Sequence, residues 1–189
     1  CSCTGRTRPS EPIRRRSDIR TMEKTTHPIV YEPIGVIHSP FATLEGMPIQ
    51  PSAAKGIKGT VVLNEAYVEG LSDLDGFSHV VLVYHFHLSK AFELKVVPFL
   101  DDQQRGLFST RAPNRPNPVG LSVVRLNRIE SNRIEVENVD VLDGTPLLDI
   151  KPYVAEMAGV ADYRIGWLTD RKEEMRSKRS DRRFREPPE

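Results

Sequence analysis

Val119 to Val141 reads V-G-L-S-V-V-R-L-N-R-I-E-S-N-R-I-E-V-E-N-V-D-V. Two arms of alternating apolar and charged residues flank Ser131-Asn132, a pair suited to a tight turn. Alternation with a period of two sends successive side chains to opposite faces of a strand, so one face can be buried while the other meets water. The stretch predicts a β-hairpin, Val119–Ile129 against Arg133–Val141. Along the second arm Ile134, Val136 and Asn138 should share one face, with Glu135, Glu137 and Val139 on the other.

The flanking segments extend this into a sheet. Ser78–Leu88 (S-H-V-V-L-V-Y-H-F-H-L) is apolar on both faces, so much of it should be buried. A helix of at most two turns is expected after Leu88, ended by Pro98. Gly59–Leu63 is a short β-branched strand, and Asn64 should cap a short helix reaching Gly70, with Glu65 in its first turn. Ile29–Ser39 reads as a strand interrupted at Pro33 and Gly35. Downstream, Asp143-Gly144 is a turn signal leading into a strand over Pro146–Tyr153. Five to seven strands with little helix predict an all-β protein. With few helices to cover sheet edges, the expected architecture is a single closed β-barrel of about seven strands with short peripheral helices.

The 189 residues suit one ordinary domain, placed at residues 28–168. Residues 1–27 are polar, rich in arginine and without periodicity, which predicts a disordered basic extension; Met22 is expected to be the initiator. Residues 169–189 form a charged tail, with Arg171, Lys172, Arg176, Lys178, Arg179, Arg182, Arg183 and Arg185 available to a polyanion. Net charge is only +1, so charge distribution says more than the total. Cys1 and Cys3 are the only cysteines and cannot staple the fold, which suits a reducing compartment. No apolar run approaches the roughly 20 residues of a membrane span, and no secretion signal is seen, so a cytoplasmic protein is expected. A phosphate loop, a Gly-X-Gly-X-X-Gly fingerprint and a nucleophile elbow are all missing, which argues against an NTPase, a Rossmann enzyme and an α/β hydrolase.

Three constellations carry chemistry. The first is Ser109–Leu121, S-T-R-A-P-N-R-P-N-P-V-G-L, in which three prolines stiffen the backbone and push Ala112, Arg115 and Asn117 toward extended geometry. Arg115 and Asn117 should then point together. Arg111 and Arg115 are forks for a carboxylate or phosphate, unless they pair with Asp101 or Asp102. The second is Leu142–Tyr153, L-D-G-T-P-L-L-D-I-K-P-Y. Here Asp-Gly should expose backbone amides, and Asp149, Lys151 and Tyr153 should share one strand face opposite Leu148, Ile150 and Pro152. That face is a candidate reaction surface or a surface ion pair beside an aromatic ring. The third is the row His79, Val81, Val83, His85 and His87. His-X-His on a strand can bring two imidazoles to zinc, but a third ligand is missing, and no metal is expected.

Taken together, Ile34–Pro40 (I-G-V-I-H-S-P), Phe77-Ser78-His79, Gly106–Gly120 (G-L-F-S-T-R-A-P-N-R-P-N-P-V-G) and Leu142–Tyr153 resemble the TsaA-like (TrmO) family, over about residues 29–165. The chain is similar to the compact, archaeal-like members, since bacterial ones carry a further C-terminal domain. The resemblance implies a β-barrel that binds S-adenosyl-L-methionine, a homodimer with the cofactor site near the interface, and methylation of N6 of threonylcarbamoyl-adenosine next to the tRNA anticodon. By motif, the implied cofactor contacts are Gln50, Pro51, Ser52, His87, Leu88, Arg111, Leu121, Leu142, Asp143, Gly144 and Thr145.

Chemistry adds candidate roles. Leu121 and Leu142 offer an apolar slot for adenine, Arg111 a clamp for the methionine carboxylate, and the Gly144 and Thr145 amides contacts to adenine or ribose. The N6 of a urea needs its proton removed before it can attack, so Asp149 is the expected proton acceptor and Tyr153 its hydrogen-bonding partner. Asn117 would orient the urea, and Arg115 and Lys151 would bind the threonyl carboxylate and phosphates. The alternatives are a non-catalytic barrel that binds S-adenosyl-L-methionine or RNA, and a zinc hydrolase built on His85 and His87.

Overall fold

A computed structural model of the chain describes residues 28–155, 164–171, 173–174 and 177–181. The chain divides into two compact units, Cys1–Val30 and Tyr31–Glu189. Of the first, only residues 28–30 are described, and they carry no helix or strand; the extension expected at 1–27 lies outside the described residues.

The second unit is a closed antiparallel barrel. Its strands are β1 (Gly35–His38), β2 (Lys58–Leu63), β3 (His79–His85), β6 (Val119–Glu130), β7 (Arg133–Glu137) and β8 (Thr145–Pro152). They run β1-β2-β7-β6-β3-β8 around the wall, with β8 pairing back onto β1. Two further strands, β4 (Lys95–Val96) and β5 (Arg105–Gly106), make a separate two-stranded ribbon. The barrel therefore closes with six strands, where about seven were expected. Closure leaves no unpaired edge in a sheet with few helices to shield one. The expected short helices are 3-10 turns. Asn64 caps Glu65–Leu71 by accepting the Ala66 N–H at 3.1 Å.

Alternating residues fill the interior, among them Ile37, Val61, Leu82, Val124, Ile134, Val136 and Leu147. The β6–β7 hairpin turns at Ser131 (φ 53°), as its sequence predicts. The alternation of its second arm, however, ends at Glu137. Asn138 sits at φ 71°, its side chain accepting the Gly56 N–H at 3.0 Å, while the Asn138 and Val139 amides both donate to the Ile57 carbonyl. That kink puts Val139 into the core beside Ile134 and Val136, on the opposite side from the one its spacing predicts.

Four other elements differ from their sequence reading. The strand expected from Ile29 is regular only over β1. Ser78–Leu88 ends early: the Ser89 amide turns back to the Phe86 carbonyl at 2.9 Å, so His87 and Leu88 sit in a turn and leave the row that holds His79 and His85. No helix follows Leu88; Lys95–Val96 instead pairs with Arg105–Gly106, a setting that suits a β-branched residue. Along β8 a bulge opposite Val83/Tyr84 inserts Leu148, so Leu147 is the buried residue and Ile150 packs on the core.

Candidate functional site

A cavity of about 660 Å³ opens at one end of the barrel, bordered by Tyr84 near the end of β3, Gly120 near the start of β6 and Thr145 at the start of β8. That size suits a small organic ligand. Its floor depends on Gly120. A Cβ there would come within 2.2 Å of the Tyr84 ring, so only glycine lets the ring lie across β6. The Tyr84 hydroxyl meets Ser122 Oγ at 3.0 Å, and Ser122 donates to Asp140 Oδ1 at 2.6 Å. Because Ser122 spends its proton on the carboxylate, Tyr84 is the donor to Ser122. Burial pushes the Asp140 carboxyl up to about 6, against the opposing pull of the Ser122 bond and the Arg111 charge. Burial, and then the Asp140 charge, push the Tyr84 phenol well above its ordinary value.

The proline loop supplies two cations to the wall. Arg111 donates through Nη2 to the Leu121 carbonyl at 2.8 Å. Arg115 donates to the Thr110 and Ala112 carbonyls at 3.0 and 3.4 Å and lies 5.7 Å over the Phe108 ring. Backbone oxygens thus orient both guanidinium groups. The acid weighed as their alternative partner, Asp101, pairs with Arg105 at 2.7 Å instead. The chain bends at Pro116–Asn117, which separates Asn117 from Arg115: Arg115 borders the cavity, while Asn117 is exposed and outside its lining.

At the Asp143-Gly144 turn, Gly144 takes φ 75°. The turn amides were expected to be exposed, but they are engaged within the fold: Asp143 N–H donates to the Phe41 carbonyl at 2.9 Å and Gly144 N–H to the Ile37 carbonyl at 3.0 Å. Thr145 Oγ1 donates to the Leu142 carbonyl at 2.7 Å. The Asp143 carboxylate accepts the Ser39 N–H at 3.1 Å and lies 3.0 Å from His38 Nδ1, and these contacts hold its pKa below the usual carboxylate value. Leu142 and Thr145 line the cavity; Asp143 and Gly144 brace the turn from behind.

One wall has no signal in the sequence. Ser180 exchanges backbone hydrogen bonds with the loop before Gln50, its N–H reaching the Met47 carbonyl at 2.9 Å and its carbonyl accepting from Gly46 at 3.0 Å. Its hydroxyl donates to the Leu44 carbonyl, and Arg179 donates to the Ala53 carbonyl at 2.7 Å. This part of the charged tail is a strap across the Leu44–Ala53 loop, and Ser180 and Asp181 join the cavity lining. Composition hid it, since backbone groups and one serine do most of the binding. Arg179→Ala is expected to free the loop and weaken ligand binding about three- to tenfold, at about 1 kcal/mol per lost hydrogen bond, with the unfolding midpoint nearly unchanged; calorimetry alongside thermal unfolding checks this. A second brace is Trp167, whose Nε1 donates to the Ser109 carbonyl at 2.9 Å beneath Arg105, 5.5 Å from the ring.

Of the expected site residues, Gln50, Pro51, His87, Leu88, Arg111, Arg115, Leu121, Leu142 and Thr145 border this one cavity; Ser52 does not. Burial, then the neighbouring His85 charge, lower the His87 pKa. Asp149, Lys151 and Tyr153 stand elsewhere, on the outer face of β8. Asp149 pairs with Lys151 at 2.6 Å, and the Tyr153 ring meets His79 edge-on at 6.4 Å. Among the described residues no three of His, Cys, Asp and Glu gather to hold a metal, and no helix is long and apolar enough to cross a membrane.

Comparison with known proteins agrees with this geometry. The model of the tRNA-methyltransferase O N-terminal domain matches residues 36–158. A probable S-adenosyl-L-methionine-binding protein of Pyrococcus abyssi is 51% identical over 156 residues, covering 82% of this chain and 85% of that protein. The tRNA (adenine(37)-N6)-methyltransferase of Homo sapiens is 35% identical over 151 residues, 72% of this chain and 34% of that one. The crystal structure of TrmO from Pseudomonas aeruginosa matches with a TM-score of 0.63 at 40% identity, over 75% of this chain and 63% of that one. The chain thus spans less than two thirds of the bacterial TrmO structure and about a third of the human protein. The family model, a relative identical at half of its aligned positions and the matching barrel agree: the chain belongs to the tRNA-methyltransferase O N-terminal domain family.

Proposed function

We propose that this protein transfers a methyl group from S-adenosyl-L-methionine to N6 of the adenine beside the anticodon of tRNA, with N6-threonylcarbamoyl-adenosine as the substrate base and the cytoplasm as its place of work. The observation that carries this reading is the cavity itself. It brings apolar Leu121 and Leu142 together with a backbone-oriented Arg111 and the half-buried acid Asp140 in one volume that suits a small organic ligand. That donor set fits a ligand with an aromatic base at one end and a zwitterionic amino acid at the other. Leu121, Leu142 and the Gln50-Pro51 loop would hold the adenosyl part, with Ser52, Asp143 and Gly144 supporting those loops, while His87 and Leu88 would border the entrance. Arg111 would take the carboxylate as a charge-assisted fork. When bound, the donor supplies an electrophilic methyl on its sulfonium. The protein's task is then to align N6 with that carbon and accept the N6 proton.

A homodimer is part of the proposal. The outer faces of β3 and β6 set Val81 beside Val123 and Val83 beside Leu121, and Val119, Leu121 and Val123 are 39%, 50% and 36% exposed. Leu121 belongs to both this apolar face and the cavity wall, so a second copy seated there would lie against the donor site. Asp149 and Lys151 pair with Val83 and Val81 across the β8 edge of the same face. Asp149 as proton acceptor, Tyr153 as its partner, Asn117 as guide for the urea, and Lys151 with Arg115 as anion contacts would then act beside the seam. Arg182, Arg183 and Arg185 in the charged tail are proposed to meet tRNA phosphates. Val123→Asp is expected to give a folded monomer in sedimentation velocity, whereas an unchanged dimer places the interface elsewhere.

The direct test is to incubate purified protein with S-adenosyl-L-methionine and tRNA carrying threonylcarbamoyl-adenosine, then measure the nucleosides by mass spectrometry. A mass gain of one methyl on that base is expected. Binding of the donor with no methylated base would mean a binding module.

A further inference from the structure

We propose that Asp140 is the anionic contact for the α-ammonium group of the methyl donor, working beside Arg111, which takes the adjacent carboxylate. The proposal rests on the cavity being the donor site. Asp140 borders that cavity, yet among the described residues no side-chain cation lies within salt-bridge distance of it. An enclosed carboxylate without a cation is unfavourable, because burial removes its hydration and returns no opposite charge. The hydrogen bonding around it opposes that penalty. Three groups from separate elements form a relay in which every proton points toward Asp140: Tyr84 on β3 donates to Ser122 on β6, and Ser122 donates to Asp140 in the loop after β7. Arg111 is close enough for its charge to lower the Asp140 pKa, but its guanidinium is tethered to the Leu121 carbonyl rather than to the acid. A cation and an anion held side by side without neutralising each other are complementary to an α-amino acid, whose ammonium and carboxylate are one carbon apart. The sulfonium lies several bonds from that carbon, so an arginine holding the carboxylate brings the ammonium, not the sulfonium, to its neighbour.

The pH dependence follows the same geometry. Burial raises the Asp140 pKa to about 6, so the contact is charged at neutral pH and is lost on mild acidification. The other ionisable groups on the cavity wall are Arg111, Arg115, Tyr84, His87 and Asp181. Tyr84, its phenol pushed up by burial, stays neutral in that range, whereas His87 gains charge on acidification and repels a cation in the same direction. Loss of binding as pH falls through about 6 should therefore be steep in the wild type and shallow in Asp140→Asn, where His87 remains.

The experiment is calorimetric titration of S-adenosyl-L-homocysteine and S-adenosyl-L-methionine into wild type and Asp140→Asn at about pH 8 and about pH 5.5. At the higher pH both ligands should bind the variant about tenfold more weakly or worse, by the same factor, because both carry the ammonium. Decarboxylated S-adenosyl-L-methionine should keep its sensitivity to Asp140→Asn and lose all sensitivity to Arg111→Gln. Weakening confined to the sulfonium ligand overturns the assignment, as does unchanged affinity for both. If the variant does not fold, the wild-type pH profile decides: affinity for S-adenosyl-L-homocysteine that is flat through pH 6 overturns it equally. Failure of the wild type to bind any of these ligands would instead refute the donor-site reading.

Discussion

Gly120→Ala is expected to unfold about 1–3 kcal/mol more easily than the wild type, the usual range for overpacking a filled core, and to lose most of its affinity for S-adenosyl-L-methionine. The new methyl would lie 2.2, 2.4 and 2.8 Å from three carbons of the Tyr84 ring. Those atoms are not the free end of a flexible chain. Tyr84 is 4% exposed, its ring meets Phe86 edge-on at 5.3 Å, and its hydroxyl is held by Ser122. Either β6 moves away from β3 or the ring rotates and releases Ser122. In both cases the Tyr84–Ser122–Asp140 relay loosens and the cavity floor shifts. Denaturant unfolding and ligand calorimetry on the same sample read both effects. A second substitution separates them: Tyr84→Leu should recover part of the stability lost by Gly120→Ala, because the clash disappears, but not the ligand affinity, because the hydroxyl is gone. Full additivity of the two stability losses would show that the clash is not the cause.

Arg111→Ala is expected to weaken S-adenosyl-L-methionine binding by about 10- to 100-fold, since a hydrogen bond to a charged group is worth about 1.5–3 kcal/mol. Stability should move by no more than about 0.5 kcal/mol, the usual range for an exposed side chain. Arg111→Lys should fare little better. An ammonium cannot bond the Leu121 carbonyl and at the same time present a planar fork to a carboxylate, so the geometry is lost although the charge is kept. Calorimetry with wild type and both variants checks the order. A lysine variant that binds like wild type would reduce Arg111 to a point charge and remove its clamping role.

Much of the fold was legible because it rests on local alternation. The β6–β7 hairpin, the Asn64 cap and the strand after Asp143-Gly144 each follow from a short pattern in the chain. Departures arise where one backbone group decides the outcome. Asn138 breaks the period because its side chain is captured by the Gly56 N–H, two residues before β2 and far away in sequence, and that single kink turns Val139 inward. Leu148 shifts the apolar set of β8 because a bulge, not the residue order, sets its register. In the site, the proline loop and the Leu142–Thr145 turn were readable as motifs. Asp140 was not, because a lone aspartate near a hairpin end looks like surface charge until Ser122 and Tyr84 are seen to face it. The Arg179–Ser180 strap was hidden for a related reason: its bonds are to backbone carbonyls of a loop far away in sequence.

A crystal structure of the protein with S-adenosyl-L-homocysteine tests the donor site most directly. The adenine ring is expected between Leu121 and Leu142, with the amino-acid end turned to Arg111 and Asp140. Ligand density anywhere else on the molecule, or a ligand in this cavity with its amino acid directed away from both residues, would contradict it.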